Sequence, residues 1–517
     1  MIRAYGPIPS NALRFLVDLP MDVIESMAPS LGAETITVGD GQAQMLIMSD
    51  EIPKLEKVPP LDFPLKVIAL SDPDIGSKWA EIAARYGDKW IYPLVSGNVV
   101  RGALEMWEMS GCIEIRAMDL DSPELLREAL GAIDHMMGYF RMKGVDIVRI
   151  REVLNTDAGQ LDTDMRKALE SAGYIFVNGF YAKGRFEPWT MTMNDMLSYI
   201  FYKQKIARNM RYGSVADMVD DRGYVRGDQE LIIRVNDKTT MKSQMERGVV
   251  VKMTLSPSYQ GYTDLEHASL YRAEKGVELD EASRNILKII KDRQPVSKKD
   301  LVAHSMYSAD KTAEVLSELI KGSVLYQDEK SQYNVVPMLD MDRQDAAKEV
   351  AKMHFRTFGV FSAEGLSSFL SVRMSQVRKA LRTLEDEGFV KKGFFLRDDP
   401  VLRWMLAEDV GNRPGRFTEQ FLLNTQDNLH IYLRGLLKED IESAKAIVFN
   451  GTKVIGSFKG KICFNGAKVE DFEGSDRAMR IMKETAQSVG VSLETERQRE
   501  DDDWDVSEFY IKVNPGA

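Results

Sequence analysis

Two long stretches of the sequence repeat one another at a nearly constant spacing, and this repeat limits the fold more than any other feature. Residues 5–32 align with a stretch that starts at residue 358, where Gly6 corresponds to Gly359 at an offset of 353. Further along the chain, the pair Gly97 and Gly102 corresponds to Gly451 and Gly456 at an offset of 354. A repeat of this length indicates an internal duplication, so we expect each half to contain the same succession of small domains.

Residues 362–388 predict two consecutive helices. The first spans 362–370 and the second spans 375–387, with Ser375 as its N-cap and Gly388 just beyond its end. The apolar residues of the second helix recur at helical spacing, at Val377, Ala380, Leu381 and Leu384. One face of this helix is therefore expected to be buried.

Residues 389–397 predict two short strands that turn at Gly393. Two helices followed by a hairpin have the order of a winged helix, which we assign to residues 341–410. Residues 1–57 and 281–340 show similar helical stripes and predict two further winged helices.

The remaining ranges predict two similar sheet domains and one connector. Residues 58–187 and 411–517 each contain two alternating strands around a pair of glycines, then a helix and another strand. Short strands with glycine at tight connections favour a small, partly open β-barrel or an α+β sheet domain. Residues 188–280 predict a mostly helical connector. The predicted fold class is a multi-domain α+β protein of three winged helices and two β-barrel-like α+β domains in an internal duplication.

The overall charge restricts where nucleic acid could bind. The 517 residues carry a formal net charge of −11, which argues against a protein that coats nucleic acid non-specifically. Any basic binding surface must therefore be local. The chain has two cysteines, no apolar run of the roughly 20 residues that a membrane span needs, and no N-terminal stretch resembling a signal peptide. We predict a cytoplasmic protein with no membrane partner.

A local basic surface is predicted on the helix 375–387. The sequence contains no acidic residue from Arg373 to Leu384. The candidate contacts on this helix and its wing are Arg373, Gln376, Arg378, Lys379, Arg382, Lys391, Lys392 and Arg397. A helix with one buried side and several cations on the other is suited to a nucleic-acid groove, and a wing usually contacts phosphate. An ordinary solvated helix face would give the same pattern.

A second group of cations lies among aromatic residues in 199–213, which we predict to be helical. These cations are Lys203, Lys205, Arg208 and Arg211. They could contact phosphates or single strands, with tyrosine stacking on bases. Apolar neighbours of this kind are also typical of a protein core.

The other two winged helices offer poorer binding faces. In the first copy, Asp22 and Glu25 lie where the second carries cations, which predicts a packing role. In 281–340, the outer helix face mixes Lys311 with Glu314.

Tandem winged helices joined to a small barrel resemble the C-terminal region of Lhr-type (large helicase-related) superfamily 2 helicases and the related winged-helix alkyl-DNA glycosylases. The resemblance is carried by residues 5–13, by the segments 44–47 and 420–423, by residues 70–73 and by the strand pair around Gly97 and Gly102. It implies DNA binding and repair, and a helicase motor subunit as a possible partner. The sequence lacks a GxxxxGK[ST] loop and a DEAD or DEAH box, so it offers no site for ATP.

The glycosylase relatives imply candidate catalytic residues at Gln42, Gln44 and Asp72, although Gln42 and Gln44 lie in a predicted strand rather than the family's helical context. We therefore assign no catalytic residue, and we predict no cofactor. We also predict no metal site, because the five histidines are scattered and lack ligand spacing.

The sequence therefore predicts a protein that binds DNA or structured nucleic acid, as a motor-less relative or accessory of an Lhr-type helicase. Two alternatives remain open, a DNA glycosylase built on the same modules and a winged-helix scaffold for protein interactions.

Overall fold

The computed structural model describes most of the chain. The described residues are 8, 10, 13, 14, 19–38, 43–55, 64–69, 79–86, 91–97, 99–109, 111–236, 239–256, 259–437, 441–464, 466–491, 493–495 and 511–513. The chain forms two compact units, and each is described separately. Unit 1 comprises Met1–Pro188 with Asp398–Pro400, and unit 2 comprises Trp189–Arg397 with Val401–Ala517. The predicted α+β class is confirmed, whereas the six predicted domain ranges stay predictions.

The N-terminal part of unit 1 packs a short helix against a β-hairpin. Its elements are α1 (Met21–Met27), β1 (Ala33–Val38), β2 (Ala43–Met48) and α2 (Ile52–Leu55). The two strands pair antiparallel, with Ala33 opposite Met48. The apolar residues Ile24, Met27, Ala28 and Leu31 recur at helical spacing, but only Ile24 and Ala28 are buried, whereas Met27 and Leu31 are 43% and 59% exposed. The helix thus buries a narrower face than its sequence predicts.

The rest of unit 1 is a sheet of nine strands covered by helices. Its helices are α3 (Trp79–Tyr86), α4 (Leu126–Met142) and α5 (Thr163–Ser171). Its strands are β3 (Lys66–Val67), β4 (Ile91–Ser96), β5 (Val99–Met109), β6 (Cys112–Leu120), β7 (Ile147–Ile150), β8 (Glu152–Val153), β9 (Thr156–Asp157), β10 (Ile175–Val177) and β11 (Phe180–Lys183). Strands β6 and β7 are parallel, and α4 connects them. Leu130 and Ile133 of α4 join the buried cluster of Ile113, Ile115 and Ile150 from the sheet.

Unit 2 begins with a segment of short helices and one hairpin. Its elements are α6 (Met193–Lys203), α7 (Val215–Arg222), α8 (Asp228–Leu231), α9 (Met241–Glu246), β12 (Val251–Ser256), β13 (Tyr259–Thr263) and α10 (Leu265–Lys275). Thr192 and Ser214 form capping boxes at the starts of α6 and α7, which explains why both helices begin where they do.

The next segment of unit 2 has the helices and hairpin of a winged helix. Its elements are α11 (Glu281–Arg293), α12 (Lys298–His304), α13 (Ala309–Lys321), β14 (Leu325–Gln327) and β15 (Tyr333–Val335). Ile286, Leu301, Val315 and Leu319 from the three helices share one buried cluster. The hairpin extends the β12–β13 hairpin into a four-stranded sheet, because β12 pairs with β14.

A second winged-helix arrangement follows. Its elements are α14 (Arg343–Phe358), β16 (Val360–Ser362), α15 (Ala363–Leu370), α16 (Met374–Asp386), β17 (Val390–Gly393) and β18 (Arg403–Leu406). Helix α16 begins at Met374, one residue before Ser375. Its N-cap is Arg373, whose side chain makes no capping hydrogen bond, so the predicted N-cap at Ser375 is wrong.

The predicted turn of the wing at Gly393 is also wrong. Strand β17 pairs with β18, from which nine residues separate it, and not with 394–397. Phe394, Phe395 and Leu396 are buried, and the Phe395 carbonyl accepts a hydrogen bond from the Met191 N–H at 2.8 Å. Burial of this apolar run in unit 2 removes it from the hairpin.

The last part of unit 2 repeats the strand pattern of unit 1. Its elements are β19 (Gln420–Leu423), α17 (Asn428–Leu437), β20 (Lys445–Asn450), β21 (Lys453–Cys463), β22 (Gly466–Gly474), α18 (Asp476–Ser488), β23 (Leu493–Thr495) and β24 (Ile511–Val513).

Strands β20, β21 and β22 begin and end 354 residues after β4, β5 and β6. Both first hairpins turn at a glycine of positive φ, 57° at Gly97 and 61° at Gly451, and both carry a bulge at the same repeat position, after Leu94 and after Val448. The duplication predicted from the sequence is confirmed for these strands.

A buried group of charged residues connects the start of unit 2 to its last sheet. The Arg234 guanidinium donates to both carboxylate oxygens of Asp427, at 2.5 and 2.9 Å, and to the Gln204 side chain at 2.9 Å. Glu230 accepts from the Asn428 N–H at 2.8 Å. The buried Arg222 guanidinium lies 3.8 Å from the Glu230 carboxylate, so two cations and two carboxylates balance one another inside the protein.

None of the described helices combines the length and the apolar character that are needed to cross a bilayer.

Candidate nucleic-acid interface

Helix α16 separates an apolar face from a cationic one. Val377, Leu381 and Leu384 are buried, as their helical spacing predicts. Gly388, with φ of 73°, follows the end of the helix, and its N–H bonds to the Glu385 carbonyl at 3.0 Å. The apolar face is anchored against the neighbouring helices, so the opposite face has a fixed orientation.

The cations of that opposite face are exposed. Arg373, Arg378, Lys379 and Arg382 are all exposed, and so is Gln376. Among the residues that the structure describes, none of these four cations has an ion-pair partner, in contrast to many other lysines and arginines of unit 2. We call these five residues the α16 face. Its cations are available to an external anion without first breaking an internal pair.

The wing residues differ from one another. Lys391 and Arg397 are exposed. Lys392 is only 9% exposed, and its ammonium lies 3.3 Å from the Glu385 carboxylate. The structure therefore places Lys392 inside the winged helix, apart from the α16 face.

The second predicted group does not form one helical face, and the helix predicted through Arg211 is wrong. Helix α6 ends at Lys203, and Lys205 has a φ of 52°, which a continuing helix does not allow. Arg208 begins a short 3-10 turn, and Arg211 is in extended conformation.

Three of those four cations are also engaged within unit 2. Lys203 lies 2.7 Å from Asp409, and Lys205 lies 2.9 Å from Asp221. Arg211 is half-buried, donates to the Ile206 carbonyl at 3.5 Å, and has its pKa lowered by burial. Arg208 is exposed, but its backbone N–H bonds to the Glu419 carboxylate at 3.0 Å. This group is thus less accessible to phosphate than the α16 face.

A groove adjoins the α16 face. It has a volume of about 540 Å³ and lies between α14 and the pair α15–α16, with the end of α10 at its side. Gln376 and Lys379 belong to both the face and the groove lining. Glu274 and Arg343 also line it, and no sequence motif pointed to either residue.

Of the three catalytic candidates from the glycosylase resemblance, the structure describes only Gln44. Gln42 and Asp72 lie outside the described residues. Gln44 is exposed in β2, opposite Thr37. In the described part of the chain, no three histidine, cysteine or acidic side chains are grouped as metal ligands.

A segment of this chain matches a known protein family. Residues 253–434 match the family "DNA glycosylase AlkZ-like", a range that includes α16 and the groove. The solved structure of Streptomyces sahachiroi DNA glycosylase AlkZ is similar with a TM-score of 0.48 and 15% identity, over 59% of this chain and 98% of that chain. No curated protein matches the sequence.

The family match supports a relation of this segment to the winged-helix DNA glycosylases. Of the two resemblances in the sequence, it favours the glycosylases. The Lhr-type helicase relation and the helicase motor partner stay predictions.

Proposed function

We propose that this protein binds duplex DNA through the α16 face and hydrolyses the N-glycosidic bond of a modified base. One observation carries the proposal: the segment that matches the glycosylase family, residues 253–434, contains a helix whose exposed cations have no partner among the described residues. In a chain of net charge −11, a cationic helix face of this kind is suited to a polyanion.

The residues of the α16 face would have different roles in binding DNA. Arg378, Lys379 and Arg382 replace counterions on phosphates, which supplies affinity without sequence preference. Gln376, on the same face, can form hydrogen bonds with base edges. The acidic remainder of the surface repels DNA and limits binding to this face.

The DNA-binding half is tested by fluorescence anisotropy with a labelled duplex. The double variant Arg378→Glu and Lys379→Glu is expected to weaken binding at least 100-fold, since two attractive contacts become repulsive. The matched control is Lys288→Glu with Lys291→Glu, which changes the charge equally on the exposed side of α11. Equal loss in both variants would show a general charge effect and reject the α16 face.

The enzymatic half is tested by base release. Duplexes that contain one uracil or one 7-methylguanine are incubated with the protein, and abasic sites are detected by strand cleavage in hot alkali. We expect cleavage at the modified position in at least one duplex. Tight binding without base release from either duplex would leave a DNA-binding protein and refute the hydrolytic activity.

A further inference from the structure

The groove beside the α16 face has the size and lining of a small-molecule site. Its volume of about 540 Å³ lies within the roughly 300–1,000 Å³ of typical ligand pockets. Its apolar lining includes Leu255, Ala347, Val350, Ala351, Leu366 and Leu370, and about half of the lining residues are polar or charged. A lining that mixes apolar and polar side chains suits a flat, partly polar ring.

Two acidic residues line this groove: Asp345 on α14, whose carboxylate lies 3.5 Å from the Lys348 ammonium, and Glu274 on α10. Glu274 is half-buried, and burial raises the pKa of its carboxyl even though Lys275 and Arg343 oppose this effect. Within the described residues, no hydrogen bond or ion pair holds the Glu274 carboxylate.

The two cations next to Glu274, Lys275 and Arg343, donate hydrogen bonds to groups other than its carboxylate. The Lys275 ammonium donates to the Thr254 carbonyl at 3.0 Å and to the Ser323 hydroxyl at 2.6 Å. The Arg343 Nε donates to the backbone carbonyl of Glu274 at 3.0 Å. Glu274 is therefore positioned by its backbone while its carboxylate stays available.

The groove is continuous with the α16 face. Gln376 and Lys379 of α16 belong to both, whereas the groove residues Ala347 and Glu274 come from α14 and α10. A duplex held by the face would have its backbone at the mouth of the groove. A nucleotide rotated out of the stack at that point has a short path inward.

We propose that this groove holds a nucleotide rotated out of DNA bound on α16, and that Glu274 activates the attacking water. This inference rests on the proposed function. The water oxygen bonds to C1′ of the nucleotide, and its proton passes to the Glu274 carboxylate. The bond from C1′ to the base nitrogen breaks, and its electron pair leaves with the base. A 7-methylguanine, which carries a positive charge, departs neutral and needs no added proton.

Two substitutions test the role of the groove without changing the residues of the α16 face. Glu274→Gln removes the proton acceptor at nearly constant shape, with the exposed Glu278→Gln as its control. Ala347→Trp fills the groove from α14 without altering α16, with the exposed Ala303→Trp as its control. Circular dichroism verifies folding, and Ala347→Leu serves as a milder filling variant should the tryptophan unfold the protein.

Three measurements are made on each variant: duplex affinity, fluorescence of a duplex containing 2-aminopurine, and single-turnover release of 7-methylguanine. 2-Aminopurine brightens when it leaves the stack. Glu274→Gln is expected to keep affinity within twofold and the fluorescence rise, but to slow base release at least 100-fold. The groove-filling variants are expected to keep affinity and to lose both the rise and the release.

The outcomes distinguish this inference from the proposed function. Base release by wild type that survives in Ala347→Trp, or stays within threefold in Glu274→Gln, overturns the inference and leaves the proposed function intact. Wild type that binds DNA but shows neither release nor a fluorescence rise overturns both. A rise that Ala347→Trp abolishes, without any release, supports the groove as a nucleotide site and overturns the assigned role of Glu274.

Discussion

Asp427→Asn tests the buried charged group of unit 2. Asp427 accepts two hydrogen bonds from Arg234 and one from the Leu429 N–H at 2.8 Å, and both charged side chains are fully buried. The amide is close in shape to the carboxylate but neutral, so Arg234 is left as an uncompensated buried charge. Breaking a buried pair in this way costs roughly 3–5 kcal/mol, so we expect that reduction in the free energy of unfolding.

The loss is measured by urea unfolding followed by circular dichroism. The double variant Arg234→Met with Asp427→Leu removes both charges and should be closer to wild type than Asp427→Asn, because no charge is stranded. Glu314→Gln is the control, since its pair with Lys311 at 3.2 Å is exposed and should have no measurable effect. A loss below about 1 kcal/mol in Asp427→Asn would refute the reasoning, because a dry, essential pair cannot be broken at so little cost.

Three further predictions concern unit 2. Lys392→Met should leave DNA affinity within twofold of wild type but lower the free energy of unfolding by roughly 1–3 kcal/mol, because it removes the buried ammonium that pairs with the Glu385 carboxylate. Anisotropy and urea unfolding measure the two effects, and weakened DNA binding would contradict the buried placement. Burial lowers the pKa of His354 to about 3, so below about pH 6.5 the unfolded state binds a proton that the folded state does not, and stability falls by about 1.4 kcal/mol per pH unit. His354→Phe should therefore lose less stability between pH 6.5 and 5 in urea titrations, and an unchanged pH profile would count against a neutral buried imidazole. Gly359→Ala should lower the free energy of unfolding by about 2–4 kcal/mol in the same assay, because φ is 80° and the new Cβ would clash with the Tyr199 hydroxyl oxygen. An unfolding curve like that of wild type would show that Tyr199 moves away at no cost.

Local and repeated features of the fold could be predicted from the sequence. The buried stripe of α16 follows from the spacing of Val377, Leu381 and Leu384. The matching hairpins follow from the repeat of Gly97 at Gly451, since both glycines take positive φ at a tight turn. These features depend on residues that are close together in the sequence.

Features that depend on distant partners could not be predicted. The partner of Lys203 is Asp409, about two hundred residues away in the sequence, and only the fold brings them together. The strand partner of β17 is β18 because the intervening Phe394–Leu396 run is buried. The groove joins Glu274 to α16 in the same way, so no motif marks it.

The dependence of DNA affinity on salt tests the central claim most directly. Each phosphate contact contributes about −0.9 to the slope of log affinity against log salt concentration. Changing Arg378, Lys379 and Arg382 together to glutamine should reduce the magnitude of the wild-type slope by about 2.7, while the paired Lys311→Gln leaves it unchanged. An identical slope in the triple variant and wild type would contradict the account, because the α16 face would then not be in contact with the phosphates.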